Sequence, residues 1–207
     1  MKEIIIDQRG RQHAIKTVEP RKLKSSQRKG LVRELTPVTA RGFLTEPSPA
    51  LAQDVANHVL DCDRLSVTRQ RGRVSSFIAA DIEDGDYHLG GIIVEPEHQR
   101  TGLGYEALRR ELVKTDAETL RFHTQSKKVK GLGNKVARIK RKDGQPVVDK
   151  RRYGGKSLYG NVAEFESSAI QDINWREGDA EFCQGRVRQV SNKRPGRTKK
   201  LLEIFRK

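Results

Sequence analysis

Residues 90–112, GGIIVEPEHQRTGLGYEALRREL, contain the clearest structural pattern of the chain. An apolar run ends at Val94, Pro96 marks a turn, and two glycines follow at positions 102 and 104. Apolar side chains then recur at helical spacing from Leu103. This order predicts a strand, a turn and a helix that packs one face on a sheet.

The start of that helix is predicted to bind an anion. The first-turn amides of a helix have no partner inside it, and they carry the positive end of its dipole. Gly102 and Gly104 lack Cβ atoms, so a ligand can approach the backbone closely. Arg100 adds a positive charge beside those amides. Together these features predict a cradle for a pyrophosphate group.

The flanking sequence predicts an α+β fold. EIIID and QHAIKTVE surround a glycine-containing turn and predict an N-terminal hairpin, whereas the basic residues 19–30 resemble a linker or arm. Ser48 is a predicted helix cap with Pro49 in the first turn. Residues 64–96 predict three antiparallel strands separated by QRGR and EDGD, and TLRFHTQ predicts a strand parallel to the third of them.

At residues 94–104 the sequence resembles the GNAT superfamily of acetyltransferases. The signature of that superfamily is an Arg/Gln-x-x-Gly-x-Gly/Ala loop that holds the pyrophosphate of acetyl-CoA, and Gln99, Gly102 and Gly104 match it. The resemblance extends over roughly residues 35–142. It implies a mixed, mostly antiparallel central sheet flanked by helices, and an acetyl-CoA-dependent N-acetyltransferase.

The resemblance also implies how the cofactor is held. In this superfamily the strand before the loop bulges and separates from the next strand, and its freed backbone groups bind the pantetheine arm. The expected cofactor-binding residues are therefore Ile92, Ile93, Val94, Gln99, Arg100, Thr101, Gly102, Leu103, Gly104 and Asn134.

Asn134 comes from the second helix of the family pattern, Asn-x-x-Ala-x-x-x-Tyr, in which the tyrosine often protonates the leaving thiolate. Asn134 and Ala137 match, but Arg141 stands at the tyrosine position. Tyr153 and Tyr159 are the alternative general acids.

Acyl transfer to an amine also needs a base and a donor for the carbonyl oxygen. The backbone amide near Val94 is the expected donor. Candidate bases are Glu83, Asp86, His88 and His123, and the imidazoles titrate near neutral pH. A chain of water molecules in place of a dedicated base is the alternative.

Charge is unevenly distributed along the chain. The formal net charge is +15, yet residues 34–126 hold 10 basic and 15 acidic side chains. Residues 1–33 hold 10 basic and 3 acidic side chains, residues 127–156 hold 12 and 2, and residues 186–207 hold 9 and 1. Such segregation predicts a polyanion partner, with nucleic acid bound through 127–156 and 186–207.

The predicted organisation is a hairpin and basic arm over 1–33, a GNAT-like domain over 34–185 and a basic tail over 186–207. Cys62 and Cys183 show no pairing pattern, so neither a disulfide nor a metal site is predicted. No signal-peptide core or long apolar stretch occurs, which predicts a soluble, cytoplasmic protein.

Three functions fit these features best. The first is acetyl transfer to nucleic acid or to an amine that nucleic acid carries, such as aminoacyl-tRNA. The second is acetylation of a protein amine by an enzyme that its basic arms localise. The third is a non-catalytic GNAT-like protein that binds nucleic acid. The intact loop favours catalysis, whereas Arg141 at the tyrosine position favours the third function. A small-molecule acceptor such as an aminoglycoside or polyamine is the least favoured, because such cations suit acidic pockets, although the acidic centre of the chain leaves it open.

Overall fold

A computed structural model describes residues 3–43, 46–124, 126–141, 156–157, 160–161 and 181–188. Its strands are β1 (Glu3–Ile6), β2 (Gln12–Val18), β3 (Arg64–Gln70), β4 (Arg73–Glu83), β5 (Asp86–Val94), β6 (Thr119–Thr124), β7 (Ala137–Arg141), β8 (Lys156–Ser157), β9 (Gly160–Asn161) and β10 (Glu181–Val187). Its α-helices are α1 (Ser25–Gly42), α2 (Pro49–Asp54), α3 (Leu103–Lys114) and α4 (Lys127–Val136).

One mixed sheet organises the described residues, with strand order β1-β2-β3-β4-β5-β6-β10-β7. Strands β5 and β6 run parallel, and the other neighbouring pairs of this sheet are antiparallel. Strands β8 and β9 form a separate short pair. The predicted α+β class, with a mostly antiparallel sheet flanked by helices, is confirmed.

Helices cover both faces of the sheet. On one face, Leu35 and Val38 of α1 pack with Phe77 and Ile93 in one core. On the other face, α3 and α4 contribute to a second core through side chains at helical spacing. Those of α3 are Leu103, Ala107, Leu108 and Leu112.

The predicted start of α2 is confirmed. The hydroxyl of Ser48 accepts a hydrogen bond from the backbone N–H of Leu51 at 3.1 Å, and Pro49 occupies the first turn. This cap satisfies one of the amides that a helix leaves unpaired at its start.

The N-terminal segment differs from its predicted form. The hairpin β1–β2 is present, but β2 also pairs with β3, so the hairpin is part of the main sheet. Residues 19–30 are not a linker: a short turn at Pro20–Lys22 leads into α1. Leu31, Leu35 and Val38 form an apolar face on α1. The predicted boundary at 33–34 therefore falls inside this helix.

The second helix of the family pattern, expected to run from Asn134 through Ala137 to Arg141, is only partly present. A helix does run through Gly131 and Gly133, but it ends at Val136, and the next five residues form β7 beside β10. ARIKR alternates apolar and polar side chains, which suits a strand. Arg141 therefore lies on a strand, and the match to the second family helix does not extend beyond Val136. The predicted tail start at 186 likewise falls within β10.

Among the described residues, none of the helices combines the length and apolar character that a membrane span requires.

A buried ion pair connects α3 to the sheet. The Glu111 side chain is fully buried, and one of its oxygens accepts hydrogen bonds of 3.1 Å from Nε and Nη2 of Arg64. Its other oxygen accepts the hydroxyl of Thr17 at 2.8 Å.

Arg64→Ala should lower the free energy of unfolding by about 3 kcal/mol, because it leaves the buried carboxylate without its main partner. Arg69→Ala is the matched control: Arg69 lies on the same strand, is equally exposed and pairs with the half-exposed Glu34. Its loss should cost at most about 1 kcal/mol in urea denaturation. Equal losses in the two variants would contradict a structural role for the buried pair.

Candidate functional site

Strands β5 and β6 separate midway along β5. Asp86 to Leu89 pair in parallel with Thr119 to Phe122, and the rest of β5 pairs with β4 alone in the described part of the chain. One backbone edge of β5 is therefore open between Gly90 and Val94. The separation expected from the family resemblance is confirmed.

A bulge accompanies this separation. Ala80 pairs with Leu89 and Ala79 with Gly91, which leaves Gly90 as the extra residue of β5. The extra residue changes which side chains face each core. Leu89, Ile92 and Val94 point to the α3 side, whereas Ile93 lies in the core beneath α1.

A short, internally bonded turn joins β5 to α3. It contains one 3-10 turn at Pro96–His98, and the Thr101 hydroxyl donates to the His98 carbonyl at 2.7 Å. Gly102 precedes α3 with a φ of 80°, and no side chain among the described residues caps the helix there. The first-turn amides and the positive end of the helix dipole thus lie next to the open edge of β5.

The two glycines make room for protein neighbours. A Cβ at Gly102 would lie 3.2 Å from Cγ and Nε2 of Gln8, and a Cβ at Gly104 would lie 3.1 Å from Val94 Cγ2. Gln8 belongs to the β1–β2 turn, and its backbone N–H donates to the Thr101 carbonyl at 2.8 Å. Sequence reasoning assigned this space to a ligand alone, because it did not place the hairpin beside the loop.

Gln99 fixes the loop relative to two other elements. Its side-chain nitrogen donates to the Val94 carbonyl at 3.1 Å, and its oxygen accepts from Lys128 Nζ at 3.0 Å. The Gln99 amide thus connects the end of β5 with α4. Arg100 is exposed and has a left-handed backbone conformation, with a φ of 59°.

A buried polar cluster lies between the hairpin and this loop. Asp7 directly follows β1, His13 lies on β2, and His98 immediately precedes Gln99; all three are almost completely buried. His13 Nε2 is 3.3 Å from Asp7 Oδ2, and the rings of His13 and His98 stand edge to face with centroids 5.0 Å apart. Arg11 Nε donates to Asp7 Oδ2 at 2.8 Å.

Electrostatics in this cluster favour an ionised Asp7 beside a neutral His98. Burial by itself raises the pKa of Asp7, but hydrogen bonds from Arg11, His13 and the Arg9 amide together hold that pKa well below its usual range. Burial lowers the pKa of His98, and the positive charge of Arg11 lowers it further.

The sequence alone does not reveal this cluster, because His98 is 85 residues from His13 in the chain. A signal was present in the strand alternation: Asp7 is in phase with the buried Ile5, and His13 is in phase with the buried Ile15. Nothing in that pattern indicated that His98 would pack against them.

Two candidate bases, Asp86 and His88, lie on the paired half of β5. Glu83 ends β4, and His123 lies on β6. His88 is 7% exposed, and its Nε2 is 3.8 Å from a carboxylate oxygen of Glu83. Asp86 forms an ion pair with Arg121 of β6, so the Asp86 carboxylate already has a charged partner. His123 follows Phe122, the last β6 residue that pairs with β5.

The remaining candidates are less closely tied to this site. Asn134 is an exposed residue of α4, the helix that also carries Lys128. Tyr153 and Tyr159 lie outside the described residues. Burial raises the pKa of the Cys62 thiol to about 12, and Cys183 is buried in the α3-side core, so neither is suited to act as a thiolate nucleophile.

The fold is similar to those of solved acetyltransferases. The GNAT domain of S. lividans PAT superposes with a TM-score of 0.54 at 11% identity, over 89% of this chain and 96% of that one. Aminoglycoside 6'-acetyltransferase type Ii gives 0.50 at 10% identity, over 86% and 99%. The ribosomal-protein-S18-alanine N-acetyltransferase from Escherichia coli gives 0.45 at 18% identity, over 87% and 98%.

The sequence itself matches no protein-family model and no curated protein. The superposition on the GNAT domain shows that this chain has the GNAT fold.

Gly102→Ala should destabilise the protein by about 1–2 kcal/mol, because the left-handed backbone is strained by a Cβ and because that Cβ meets Gln8. Gly131→Ala is the control, since Gly131 lies in α4 with open space around it. It should stabilise the protein by up to about 1 kcal/mol in urea denaturation. A neutral Gly102→Ala would contradict the described loop conformation.

Proposed function

We propose that the protein is an acetyl-CoA-dependent N-acetyltransferase. The observation that carries the proposal is the arrangement around β5: its open backbone edge leads directly into an uncapped helix start. An extended acyl-pantetheine chain and a pyrophosphate need these two features in this order. The GNAT fold supports the same function.

The residues present fit the cofactor. The first-turn amides of α3 would hold its pyrophosphate, with the exposed Arg100 and Lys128 adding positive charge. The backbone groups of Ile92 to Val94 would hold the pantetheine arm by hydrogen bonds of the kind that pair strands. When bound, acetyl-CoA supplies an acetyl group activated as a thioester.

The protein's own groups would then position the acetyl carbonyl and remove a proton from the amine. The backbone amide near Val94 is the proposed donor to the carbonyl oxygen. His88 is the proposed base, supported by its burial and by the nearby Glu83 carboxylate. His123 and a water chain are the alternative bases, and Tyr153 and Tyr159 remain predictions for the general acid.

The proposed acceptor is nucleic acid, or an amine that nucleic acid carries. The positive charge of two segments supports this proposal. Segments 127–156 and 186–207 together hold 21 basic and 3 acidic side chains. The described part of the first segment includes α4, whose Lys128 contacts the cofactor loop through Gln99. A polyanion held on α4 would therefore lie beside the proposed site.

Gly102→Asp should abolish acetyl-CoA binding in calorimetric titration, because a carboxylate would face the pyrophosphate from the helix start. Gly72→Asp is the matched control: Gly72 has a φ of 82°, lies in the β3–β4 turn and has open space around it. It introduces the same charge and the same backbone strain away from the loop, so binding should be retained. Unchanged binding by Gly102→Asp would contradict the loop assignment.

Removing residues 189–207, which hold seven basic side chains, should weaken binding of bulk tRNA and flatten its dependence on salt. Each phosphate contact that is lost reduces the magnitude of the negative slope of log K against log salt by about 0.7–0.9. This truncation leaves β10 intact, so acetyl-CoA affinity should not change. An unaltered slope would exclude the tail as a nucleic-acid contact.

Release of free CoA from acetyl-CoA identifies the acceptor class. We expect release that depends on aminoacyl-tRNA or another nucleic acid. Release that depends only on a protein amine would support the localised protein acetyltransferase. Tight, salt-sensitive tRNA binding without any acetyl-CoA binding would leave the non-catalytic function.

A further inference from the structure

We propose that Asp7, His13 and His98 form a binding site for Zn²⁺, which links the β1–β2 hairpin to the loop before α3. The three side chains come from two segments far apart in sequence. Their relative exposures are 5%, 0% and 3%, so the hairpin and the loop meet at this cluster. The site is separate from the proposed cofactor site, and it adds a function that acetyl transfer does not require.

The distances between the ligand atoms support a metal site. One carboxylate oxygen of Asp7 and one ring nitrogen of each histidine all lie within 4.8 Å of one another. His13 Nε2 and Asp7 Oδ2 are already 3.3 Å apart, which is about the separation of two ligands on one tetrahedral zinc ion. The His98 ring would have to shift by at most about 1.5 Å to complete the three-ligand set.

The second ring nitrogen of each histidine already has a partner. His13 Nδ1 is 3.0 Å from the Ser75 hydroxyl, and His98 Nε2 is 3.0 Å from the Glu97 carboxylate. Zinc-binding histidines are normally oriented in this way, with the second N–H donated to a carboxylate or another acceptor. The nitrogens left for a metal are His13 Nε2 and His98 Nδ1.

His98 Nδ1 provides an independent observation. It is buried, and it has no hydrogen-bond partner among the described residues. Buried polar atoms in proteins are nearly always paired, and a buried nitrogen without a protein partner is often one that binds an ion. A metal held by Asp7 and His13 would satisfy this nitrogen.

The donor set indicates which metal fits. Two imidazoles and one carboxylate are ligands of Zn²⁺, whereas Mg²⁺ and Ca²⁺ prefer oxygen ligands alone. Three protein ligands leave one position of a tetrahedral ion for water. Because His98 directly precedes Gln99, the ion would hold the entry to the cofactor loop on the hairpin.

Arg11 competes with the metal. Its Nε donates to Asp7 Oδ2 at 2.8 Å, and Nη2 donates to the Glu97 carbonyl at 3.3 Å. A guanidinium and a dication cannot share that oxygen favourably. The Arg11 side chain is 26% exposed, so it has a route into solvent. The proposal therefore requires Arg11 to leave Asp7 when zinc binds.

The test is competition for Zn²⁺ between a chromophoric chelator and the full-length protein, after dialysis against a strong chelator. We expect one zinc ion per chain with a submicromolar Kd. His13→Gln and His98→Gln should each weaken binding by at least about 100-fold, since even partners of metal ligands contribute about 10–100-fold. His88→Gln removes a histidine outside the cluster and should leave the Kd unchanged.

A second pair of variants keeps the proposal testable even where the histidine variants fail to fold. Arg11→Gln should tighten zinc binding because it removes the competing charge, whereas Glu97→Gln should weaken it by about 10-fold because it removes the partner of His98. Co²⁺ should give the intense visible absorption of a four-coordinate site, and His98→Gln should abolish it. Absence of stoichiometric binding, or binding that none of these cluster variants changes, would overturn the proposal.

Neither the chelator competition nor the Co²⁺ absorption requires acetyl-CoA. A protein that binds acetyl-CoA but not zinc would refute the metal site alone. A protein that binds zinc but not acetyl-CoA would refute the proposed enzyme alone.

Discussion

The open edge of β5 is the feature on which the functional account depends. A strand inside a sheet normally has both backbone edges paired, but in the described part of the chain one edge of β5 has no strand partner after Leu89. The bulge at Gly90 accompanies this break, and it turns Ile92 and Val94 towards α3. Exposed strand edges readily pair with another extended chain. This edge lies directly before a helix start that no side chain among the described residues caps, and we propose that acetyl-CoA binds along the two.

That surface is held in place by contacts that lie outside the signature loop. The β1–β2 turn contacts the loop through Gln8, and Asp7 and His13 pack against His98 one residue before Gln99. On the other side, Lys128 of α4 fixes the Gln99 amide. The loop is thus supported from both sides, and its glycines leave room for close packing against Gln8 and Val94. Preorganisation of this kind lowers the entropic cost of binding a flexible ligand.

Local patterns predicted the elements and the loop, but not their long-range neighbours. The alternation around QRGR and EDGD, the Ser48 cap and the turn between β5 and α3 each act within a few residues, and these secondary-structure predictions are confirmed. Residues 19–30 resemble a linker because Leu23 is their one large apolar side chain, whereas the apolar face of α1 begins at Leu31. The contacts of Gln8 and His98 depend on how distant segments pack. That packing cannot be predicted from a few neighbouring residues.

Amide hydrogen exchange with and without acetyl-CoA tests the central claim most directly. If the open edge of β5 and the start of α3 hold the cofactor, acetyl-CoA should slow exchange in residues 90–94 and 99–105. Exchange in the paired half of β5 should change little, because its amides already have strand partners. Exchange in the β3–β4 turn should also change little, because that turn lies away from the loop. Binding that protects a different part of the chain, or that leaves both segments unprotected, would contradict the account.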